Sequence, residues 1–197
     1  MITGAGSPIG EHLVRTLLDD SRVGHILAVT GHPAANFPMA ESERLTIAQV
    51  DLIRPRRGHQ LLFDTAKACS IDTVIHTAMH ASAIDEGAKV HAYNVDSVRN
   101  LIDLCERHPT INRFVLRSAS AVYQVQRDLP VLIGEDHPLN MSGNAPQWVR
   151  DRVEADLTAC VRMGLSSLQI LVLRMAEVLA PGTGSQLYDY LQSPLCF

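Results

Sequence analysis

The sequence lacks the features that mark several classes of protein. No apolar run is long enough to span a bilayer, and no charged leader precedes an apolar segment at the N-terminus. The net charge is -4, with both signs spread along the chain. The one basic cluster, Arg54 with Arg56 and Arg57, straddles a proline and is interpreted as a solvated turn. The sequence therefore predicts neither a nucleic acid nor a membrane as a partner.

Cysteine is scarce, and its placement excludes a structural metal site. The four residues are Cys69, Cys105, Cys160 and Cys196. Their spacing fits no zinc motif, and the first three lie in apolar or helical contexts, which predicts reduced thiols and a cytoplasmic location. Nine histidines are present. Of these, His76 and His80 are four apart but flank a predicted strand end, so we predict no metal site.

Internal repeats, low-complexity segments and linkers are also absent. Of the 197 residues, 46% are hydrophobic and 19% charged, which excludes wholesale disorder and allows a full core. We therefore predict one domain spanning residues 1–197. Both ends look clipped, because the first strand, Met1-Ile2, is short and the final Leu-Cys-Phe has no closing element.

Short apolar runs alternate with helical patterns along the chain. The predicted strands are His25–Thr30, Leu45–Val50, Asp72–Ala78, Arg113–Ala119 and Leu168–Arg174. The predicted helices are Ile9–Asp19, Gly58–Cys69, Ala83–His108 and Ala145–Met163. Continuous apolar runs are typical of strands buried on both faces. Their alternation with helices predicts an α/β fold with a doubly wound parallel sheet.

A glycine-rich turn joins the first strand to the first helix, in ITGAGSPIGEHL (residues 2–13). Gly4 allows a tight turn, and Gly10 allows the helix to pack close to the sheet. Amides at the helix start would then face a pyrophosphate, which the helix dipole stabilises. The alternative is a tight turn that binds no ligand.

This turn resembles that of the extended short-chain dehydrogenase/reductase family, the NAD-dependent epimerases and dehydratases, whose pattern is T-G-x-x-G-x-x-G. Thr3, Gly4 and Gly10 match the pattern, whereas Ser7 replaces the middle glycine and Gly6 lies one place early. The Cβ of Ser7 narrows the approach of a phosphate. Its hydroxyl would offset part of that loss if it donated a hydrogen bond to the phosphate.

Six further segments resemble the family in the same order. They are VDL (residues 50–52), HTAMHAS (76–82), YNVDSVRNLIDLC (93–105), FVLRSASAVYQ (114–124), EDHPL (135–139) and LRMAEVLAPG (173–182). The resemblance implies a Rossmann-type sheet, with the substrate lobe largely missing because that lobe follows the last segment. The cofactor-binding positions that it implies are Gly4, Gly6, Ser7, Pro8, Ile9, Gly10, Asp51, Leu52, Thr77, Ala78, Met79, Asn94 and Arg152.

The choice between NAD and NADP stays open. An NAD site usually has a carboxylate at the end of the second strand, where this chain has Thr30, Gly31 and His32. No arginine lies beside that end in the sequence, as a 2′-phosphate would require. The resemblance therefore implies a nicotinamide dinucleotide, NAD or NADP.

The family's catalytic residues are replaced at all three positions. Members use a Ser or Thr with a Tyr and a Lys, and these positions are Ala119, Trp148 and Arg152 in this chain. Trp cannot exchange a proton near neutral pH, and Arg stays protonated. Ser118 and Ser120 flank Ala119, but neighbours along a strand point to opposite faces, so neither is expected to substitute.

Other groups remain as alternatives for a different reaction. His80 and His137 lie in loops at the carboxyl edge of the sheet, where ligands bind in such folds, and histidine is a common acid or base in catalysis. Glu177 lies near the expected nicotinamide end and is a candidate proton acceptor. A residue of this kind is more often a helix cap or a surface carboxylate. Tyr123 is the nearest phenol, and its family counterpart is structural.

Three functional hypotheses follow. The first is a domain that binds a nicotinamide dinucleotide without the family's chemistry, as a sensing or regulatory module. The second is an active, atypical epimerase, dehydratase or oxidoreductase for a sugar nucleotide or a small polar substrate. The third is a protein–protein scaffold with an empty cleft, dimerising through helices 83–108 and 145–163.

Overall fold

Six strands form one parallel sheet, and the computed structural model describes residues 1–80, 83–183 and 185–194. In chain order the strands are β1 (Ile2–Thr3), β2 (Ile26–Thr30), β3 (Leu45–Gln49), β4 (Thr73–His76), β5 (Arg113–Ala119) and β6 (Gln169–Met175). Their spatial order is β3-β2-β1-β4-β5-β6, and every pair is parallel. This is the Rossmann order, which confirms the doubly wound α/β prediction.

Helices follow most of the strands, as expected for right-handed crossovers. They are α1 (Pro8–Asp19), α2 (Pro55–Gln60), α3 (Ala88–His91), α4 (Ser97–Cys105), α5 (Gln147–Cys160) and α6 (Gln186–Gln192). Wider π-type turns continue α2 over Leu61–Ala66 and join α3 to α4 over Ala92–Asp96. Helix α6 is absent from the sequence-based assignment.

Several predicted boundaries were wrong. The predicted helix from Ala83 starts at Ala88, because Gly87 has φ +107°, outside the helical region. The predicted helix from Gly58 starts at Pro55, whose fixed φ suits the first helical position. The first strand is Ile2–Thr3 rather than Met1-Ile2, and β4 ends at His76, two residues before the predicted end.

Burial explains why the apolar runs form strands. All five residues of β2 are buried, because helices cover both faces of the sheet there. One core contains Leu27, Val74 and Phe114, and the opposite core contains Ile2 and Val14. At the sheet edge, β6 departs from the prediction of burial on both faces, since alternate residues from Gln169 to Met175 are exposed.

Two sequence features extend beyond the part of the chain that the structure describes. The segment His76–Ser82 is described only as far as His80, and Cys196 also lies outside the described residues. Within the described ranges, no helix has both the length and the apolar character needed to cross a membrane.

Candidate functional site

The glycine turn lies where β1 ends, between β2 and β4, at the point where the strand order reverses. Gly4 has φ +71°, and a Cβ there would stand 2.6 Å from the amide nitrogen of Ala78. A Cβ on Gly10 would stand 2.2 Å from the carbonyl oxygen of Gly4. Because atoms cannot approach this closely, the path of the turn requires glycine at both positions.

An open cleft of about 440 Å³ runs over this turn at the carboxyl edge of the sheet. Its lining residues are Gly4, Gly6, Ser7, Pro8, Thr30, Gly31, His32, Thr77, Ala78, Met79, His80, Tyr93 and Gly182. The volume lies within the range of small-molecule sites, and the position is where ligands bind in doubly wound sheets. We call this the open end of the cleft.

The start of α1 offers fewer donors to a phosphate than the glycine pattern implies. Ser7 is the N-cap, and its hydroxyl donates to the Gly4 carbonyl at 2.8 Å and accepts from the Gly10 amide at 3.1 Å. Its proton is therefore already used, which corrects the expectation that it would donate to a phosphate. Pro8 has no N–H. Of the amides of residues 8–10, this leaves Ile9 as the donor without a partner among the described residues.

The other end of the cleft brings together the three positions that the resemblance aligns with the family's catalytic residues. Ala119, Trp148 and Arg152 line one cavity of about 40 Å³ with Met175 and Arg117. Met79 lines both this cavity and the open end. The volume is enough for a few water molecules and far below that of typical ligand sites. We call this the closed end.

Two arginines supply positive charge at the closed end. Arg152 lies over the Trp148 ring, with its Cζ 5.0 Å from the ring centroid, and donates to the Trp148 carbonyl at 3.0 Å. Burial, and then the nearby Arg117, lowers the pKa of Arg152 to about 10. Burial also lowers the pKa of Arg117. The buried Nε of Arg117 has no hydrogen-bond partner among the described residues.

Arg117 was missed by reasoning from the sequence. It was treated as part of the apolar run of β5, where it interrupts FVLRSA. The signal was present, since a charged residue near the carboxyl end of a buried strand lies at the edge where ligands bind. Only the structure places it beside Arg152 in one cavity.

Beneath the closed end, a buried ion pair connects β5, β6 and α5. Asp156 is fully buried and accepts two hydrogen bonds from Arg174, at 2.8 and 3.0 Å. The hydrogen bonds that Arg174 donates to Asp156 raise the pKa of Arg174. Ser118 donates its hydroxyl proton to Asp156 at 2.6 Å. The Ser118 hydroxyl is therefore committed to this pair and does not replace the hydroxyl missing at Ala119.

A second buried carboxylate ties α5 to the α3–α4 segment. Asp151 contacts His91 Nδ1 at 2.9 Å and accepts from the Asn94 amide at 3.1 Å. The other side-chain group of Asn94 accepts from the backbone amide of His80 at 2.8 Å. Asn94 was predicted to bind cofactor, but both of its polar groups serve this network. The hydrogen bond to Asp151 raises the pKa of His91.

The alternative candidates have structural contacts. His137 is buried, with Nε2 2.8 Å from the Gln124 carbonyl. Tyr123 accepts a hydrogen bond from Arg174 at 3.1 Å. Glu177 accepts from the Ser185 hydroxyl at 2.7 Å and the Leu187 amide at 3.3 Å, so it caps α6. His80 alone of these lines the open end, 3.6 Å from the Asp85 carboxylate.

The remaining predicted positions lie around the open end. Leu52 is buried in the core, and the Asp51 carboxylate accepts from the Ile53 amide at 3.1 Å. Asp51 lines a neighbouring cavity of about 690 Å³ together with Gly31 and Arg54. An arginine therefore does lie near the end of β2, which the sequence order concealed.

The two ends differ in how well they fit a dinucleotide. At the open end, the close-packed glycine turn and the 440 Å³ cleft fit an adenosine diphosphate group, with Ile9 as amide donor. At the closed end, the Trp148 and Arg152 side chains leave about 40 Å³, which does not fit a nicotinamide ring. The described residues contain no group of three or more His, Cys, Asp or Glu side chains suited to a metal ion.

Comparison with known sequences agrees with the fold and with the glycine turn at the open end. The sequence model of the NAD dependent epimerase/dehydratase family matches residues 1–189. An uncharacterized protein of Mycobacterium tuberculosis is 25% identical over 199 residues, covering 99% of this chain and 51% of that protein. A polyketide synthase-nonribosomal peptide synthetase of Aspergillus flavipes is 33% identical over 128 residues, covering 62% of this chain and 3% of the synthetase. The chain thus spans about half the length of the mycobacterial relative.

Solved structures share the fold. The Bordetella bronchiseptica enzyme WbmH, solved in complex with NAD+, aligns with a TM-score of 0.73 at 20% identity, covering 97% of this chain and 60% of WbmH. The dTDP-glucose 4,6-dehydratase of Bacillus anthracis, solved in complex with NAD, aligns with a TM-score of 0.70 at 19% identity. That match covers 88% of this chain and 53% of the dehydratase.

Proposed function

This chain belongs to the NAD dependent epimerase/dehydratase family, and from that premise we propose that it is a nucleotide-binding domain without the family's hydride-transfer chemistry. It binds NAD or NADP mainly through the adenosine diphosphate part, and acts as a sensing or regulatory module. The observation that carries this proposal is the contrast between about 440 Å³ at the open end and about 40 Å³ at the closed end.

The open end supplies binding by backbone. Gly4 and Gly10 bring the turn close to any bound diphosphate, and the positive end of the α1 dipole favours its negative charge. Because Ile9 is the one unpartnered amide among residues 8–10, we expect weaker binding than a full set of helix-start donors would give. His32 and Thr30 line the adjacent rim of the cleft.

The closed end lacks the Ser, Tyr and Lys side chains of the family's proton relay, although the Glu177 carboxylate also lines it. A bound nicotinamide would supply hydride chemistry, but that reaction also needs a group that exchanges a proton with the substrate oxygen. The Trp148 indole only donates, Arg152 stays protonated at neutral pH, and Ala119 has no hydroxyl. The nearest hydroxyl on β5, that of Ser118, is committed to Asp156.

Nucleotide titration tests the binding claim. Isothermal titration calorimetry with ADP-ribose, NADH and NADPH should give affinities within about threefold of one another, since the ring adds few contacts. NADH that binds more than tenfold tighter than ADP-ribose would show that the closed end opens for the ring. Absence of heat with every nucleotide at millimolar concentration would refute nucleotide binding.

Activity measurements separate this proposal from an active atypical oxidoreductase. We expect no substrate-dependent change in nicotinamide absorbance with sugar nucleotides, and none for the triple variant Ala119→Ser, Trp148→Tyr, Arg152→Lys. The variant tests whether side-chain identity alone silences the site. Turnover by the unmodified chain would overturn the non-catalytic proposal.

Homodimerisation through the helices predicted at 83–108 and 145–163 stays a prediction. In the structure, α4 and α5 pack together and share ion pairs, with Arg99 3.4 Å from Glu154 and Arg162 2.7 Å from Glu106. The outer face of this helix pair is therefore charged, so a dimer there would need complementary charges. Light scattering at low and high salt measures this, and a monomer at every concentration would exclude it.

A further inference from the structure

We propose that the closed end is a binding site for a compact oxyanion, a carboxylate or phosphoryl group held between Arg117 and Arg152. This inference goes beyond nucleotide binding, because it concerns a different ligand and needs no nucleotide in the open end.

Both guanidinium groups reach the same cavity from different elements. Arg117 comes from the carboxyl end of β5, and Arg152 from the second turn of α5. The Trp148 ring lies against Arg152, and Ala119 and Met175 add apolar surface to the lining. The lining also contains the polar residues Ser118, Glu177, Thr183, Ser185 and Gln186. Two arginines at one small cavity are suited to a carboxylate or a phosphate, because a guanidinium group binds both of these anions through paired N–H donors.

The charges of the two arginines are incompletely compensated. Neither forms an ion pair with a described carboxylate, although both are largely removed from water. Placing two like charges in one poorly hydrated cavity is unfavourable, and an anion between them would relieve this cost. Burial lowers the pKa of both arginines, and the nearby Arg117 lowers that of Arg152 further.

Arg117 also has a buried Nε–H group with no hydrogen-bond partner among the described residues. A buried N–H without a partner is rare in folded proteins and calls for an explanation such as a missing ligand or water. A bound oxyanion would supply an acceptor for this group once the Arg117 side chain turns toward the cavity. The Arg152 group instead has an internal partner in the Trp148 carbonyl, and its other N–H groups remain for the ligand.

One carboxylate, that of Glu177, also lines the cavity and must be counted. Its Oε2 accepts from the Ser185 hydroxyl and the Leu187 amide, so its charge is partly used in capping α6. The lining therefore has two positive charges and one negative charge. This balance favours an anion over a neutral or cationic group.

Size limits the ligand class. A cavity of about 40 Å³ holds a few water molecules. A carboxylate or phosphoryl group therefore enters it, while a sugar or nicotinamide ring does not. The ligand is thus a small acid or phosphate, or a larger molecule that inserts only its anionic end. The two arms of the experiment distinguish carboxylate from phosphate.

The test uses the single tryptophan, Trp148, as a reporter beside Arg152. Sodium phosphate and sodium acetate are titrated separately into nucleotide-free protein, with ionic strength held constant by sodium chloride, and followed by fluorescence and calorimetry. We expect a saturable response with at least one anion. The absence of a saturable response to either anion at this constant ionic strength would overturn the proposal.

Variants locate the site. Arg117→Gln and Arg152→Gln should each weaken the anion at least tenfold, and Arg117→Lys should weaken it less because it keeps the charge. Arg113→Gln, at the exposed opposite end of β5, is the matched control and should leave affinity unchanged. Thermal melting checks that each variant folds. Unchanged affinity in Arg117→Lys and Arg117→Gln would refute the assignment.

Nucleotide binding is measured on the same samples. If ADP-ribose binds and neither anion does, the oxyanion site is refuted and the proposed function stands. If an anion binds and ADP-ribose does not, the oxyanion site stands and the proposed function is refuted.

Discussion

The two ends of the cleft lie on one sheet edge and share Met79, yet they are formed by different parts of the chain. The open end is formed largely by backbone and by glycines that tolerate no Cβ. The closed end is formed by side chains, and those side chains fill it. A binding surface made from backbone persists as long as the fold does, whereas a catalytic centre made from side chains is lost by a few substitutions.

The largest predicted effect comes from removing the ion pair between Asp156 and Arg174, beneath the closed end. Asp156→Ala leaves the partly exposed Arg174 guanidinium without its carboxylate and the buried Ser118 hydroxyl without its acceptor, so we expect a loss of about 3 kcal/mol in unfolding free energy. Urea denaturation measures it. The exposed Glu154→Ala, on the same helix, is the control and should cost less than about 1 kcal/mol.

The double variant Asp156→Leu, Arg174→Leu refines this test. Removing both charges should recover much of the loss, because no buried charge is left unpaired. If the double variant were as unstable as Asp156→Ala, the cost would lie in packing rather than in charge.

At the open end, Gly10→Ala should cost about 3 kcal/mol of stability and abolish nucleotide binding. The added Cβ would stand 2.2 Å from the Gly4 carbonyl oxygen, so α1 must move away from the turn. Denaturation and ADP-ribose titration follow the two effects. Gly24→Ala is the control, since its Cβ would meet nothing within 4 Å. Intact binding by Gly10→Ala would contradict the packing described here.

Lowering the pH should have opposite effects on stability through a histidine in the sheet beneath the open end and a histidine in the helices beside the closed end. His76 is fully buried, and burial lowers its pKa from 6.5 to about 4. Between these values the unfolded chain binds a proton that the folded chain does not. Stability therefore falls as the pH drops, by about 2 kcal/mol between pH 7 and pH 5 from this residue.

Denaturation at each pH compares His76→Gln with the parent chain, and the variant should show a flatter curve in that range. His91 has the opposite sign, because Asp151 raises its pKa. Its stabilisation is fully present below pH 6.5 and is lost as the pH rises through the raised pKa. His91→Gln should therefore remove the gain in stability that the parent chain shows as the pH falls through the raised pKa, and should leave the slope below pH 6.5 unchanged. An unchanged slope for His76→Gln would refute the assignment.

The smallest expected effect concerns donors at the open end. Pro8→Ala restores an N–H at the first residue of α1, which should tighten ADP-ribose by about fivefold, or about 1 kcal/mol. Calorimetry measures the change. Pro55→Ala, at the first residue of α2, is the matched control and should leave affinity unaltered. Weaker binding by Pro8→Ala would show that this amide position does not face the ligand.

The sequence allowed prediction of what depends on local pattern. Strand and helix alternation predicted the parallel sheet, and the glycine spacing predicted the turn at Gly4 and Gly10, since both follow from backbone sterics. It could not predict the direction of the Ser7 hydroxyl, because a hydroxyl rotates to whichever acceptor the folded turn brings near. It also could not predict cavity volumes, which depend on how Trp148, Met175 and Arg117 pack.

Longer-range placement explains the other differences. Asn94 matches the family pattern, but its use by Asp151 and His80 depends on how α5 lies against the α3–α4 segment. Arg54 is distant from Gly31 in the sequence and shares a cavity with it only because β2 and β3 are neighbours. Helix α6 is not predicted from the sequence because its seven residues are too few to establish a helical period, and none of them is buried.

The π-type turn over Ala92–Asp96 has a consequence for how this chain tolerates changes in length. A π turn contains one residue more than an α turn, and its hydrogen bond spans a longer segment. If one residue were deleted there while the wider turn persisted, the preceding helix would rotate by roughly 100° about its axis. His91 would then leave the side of the helix that faces Asp151. The number of residues in this segment is therefore more tightly constrained than their identity.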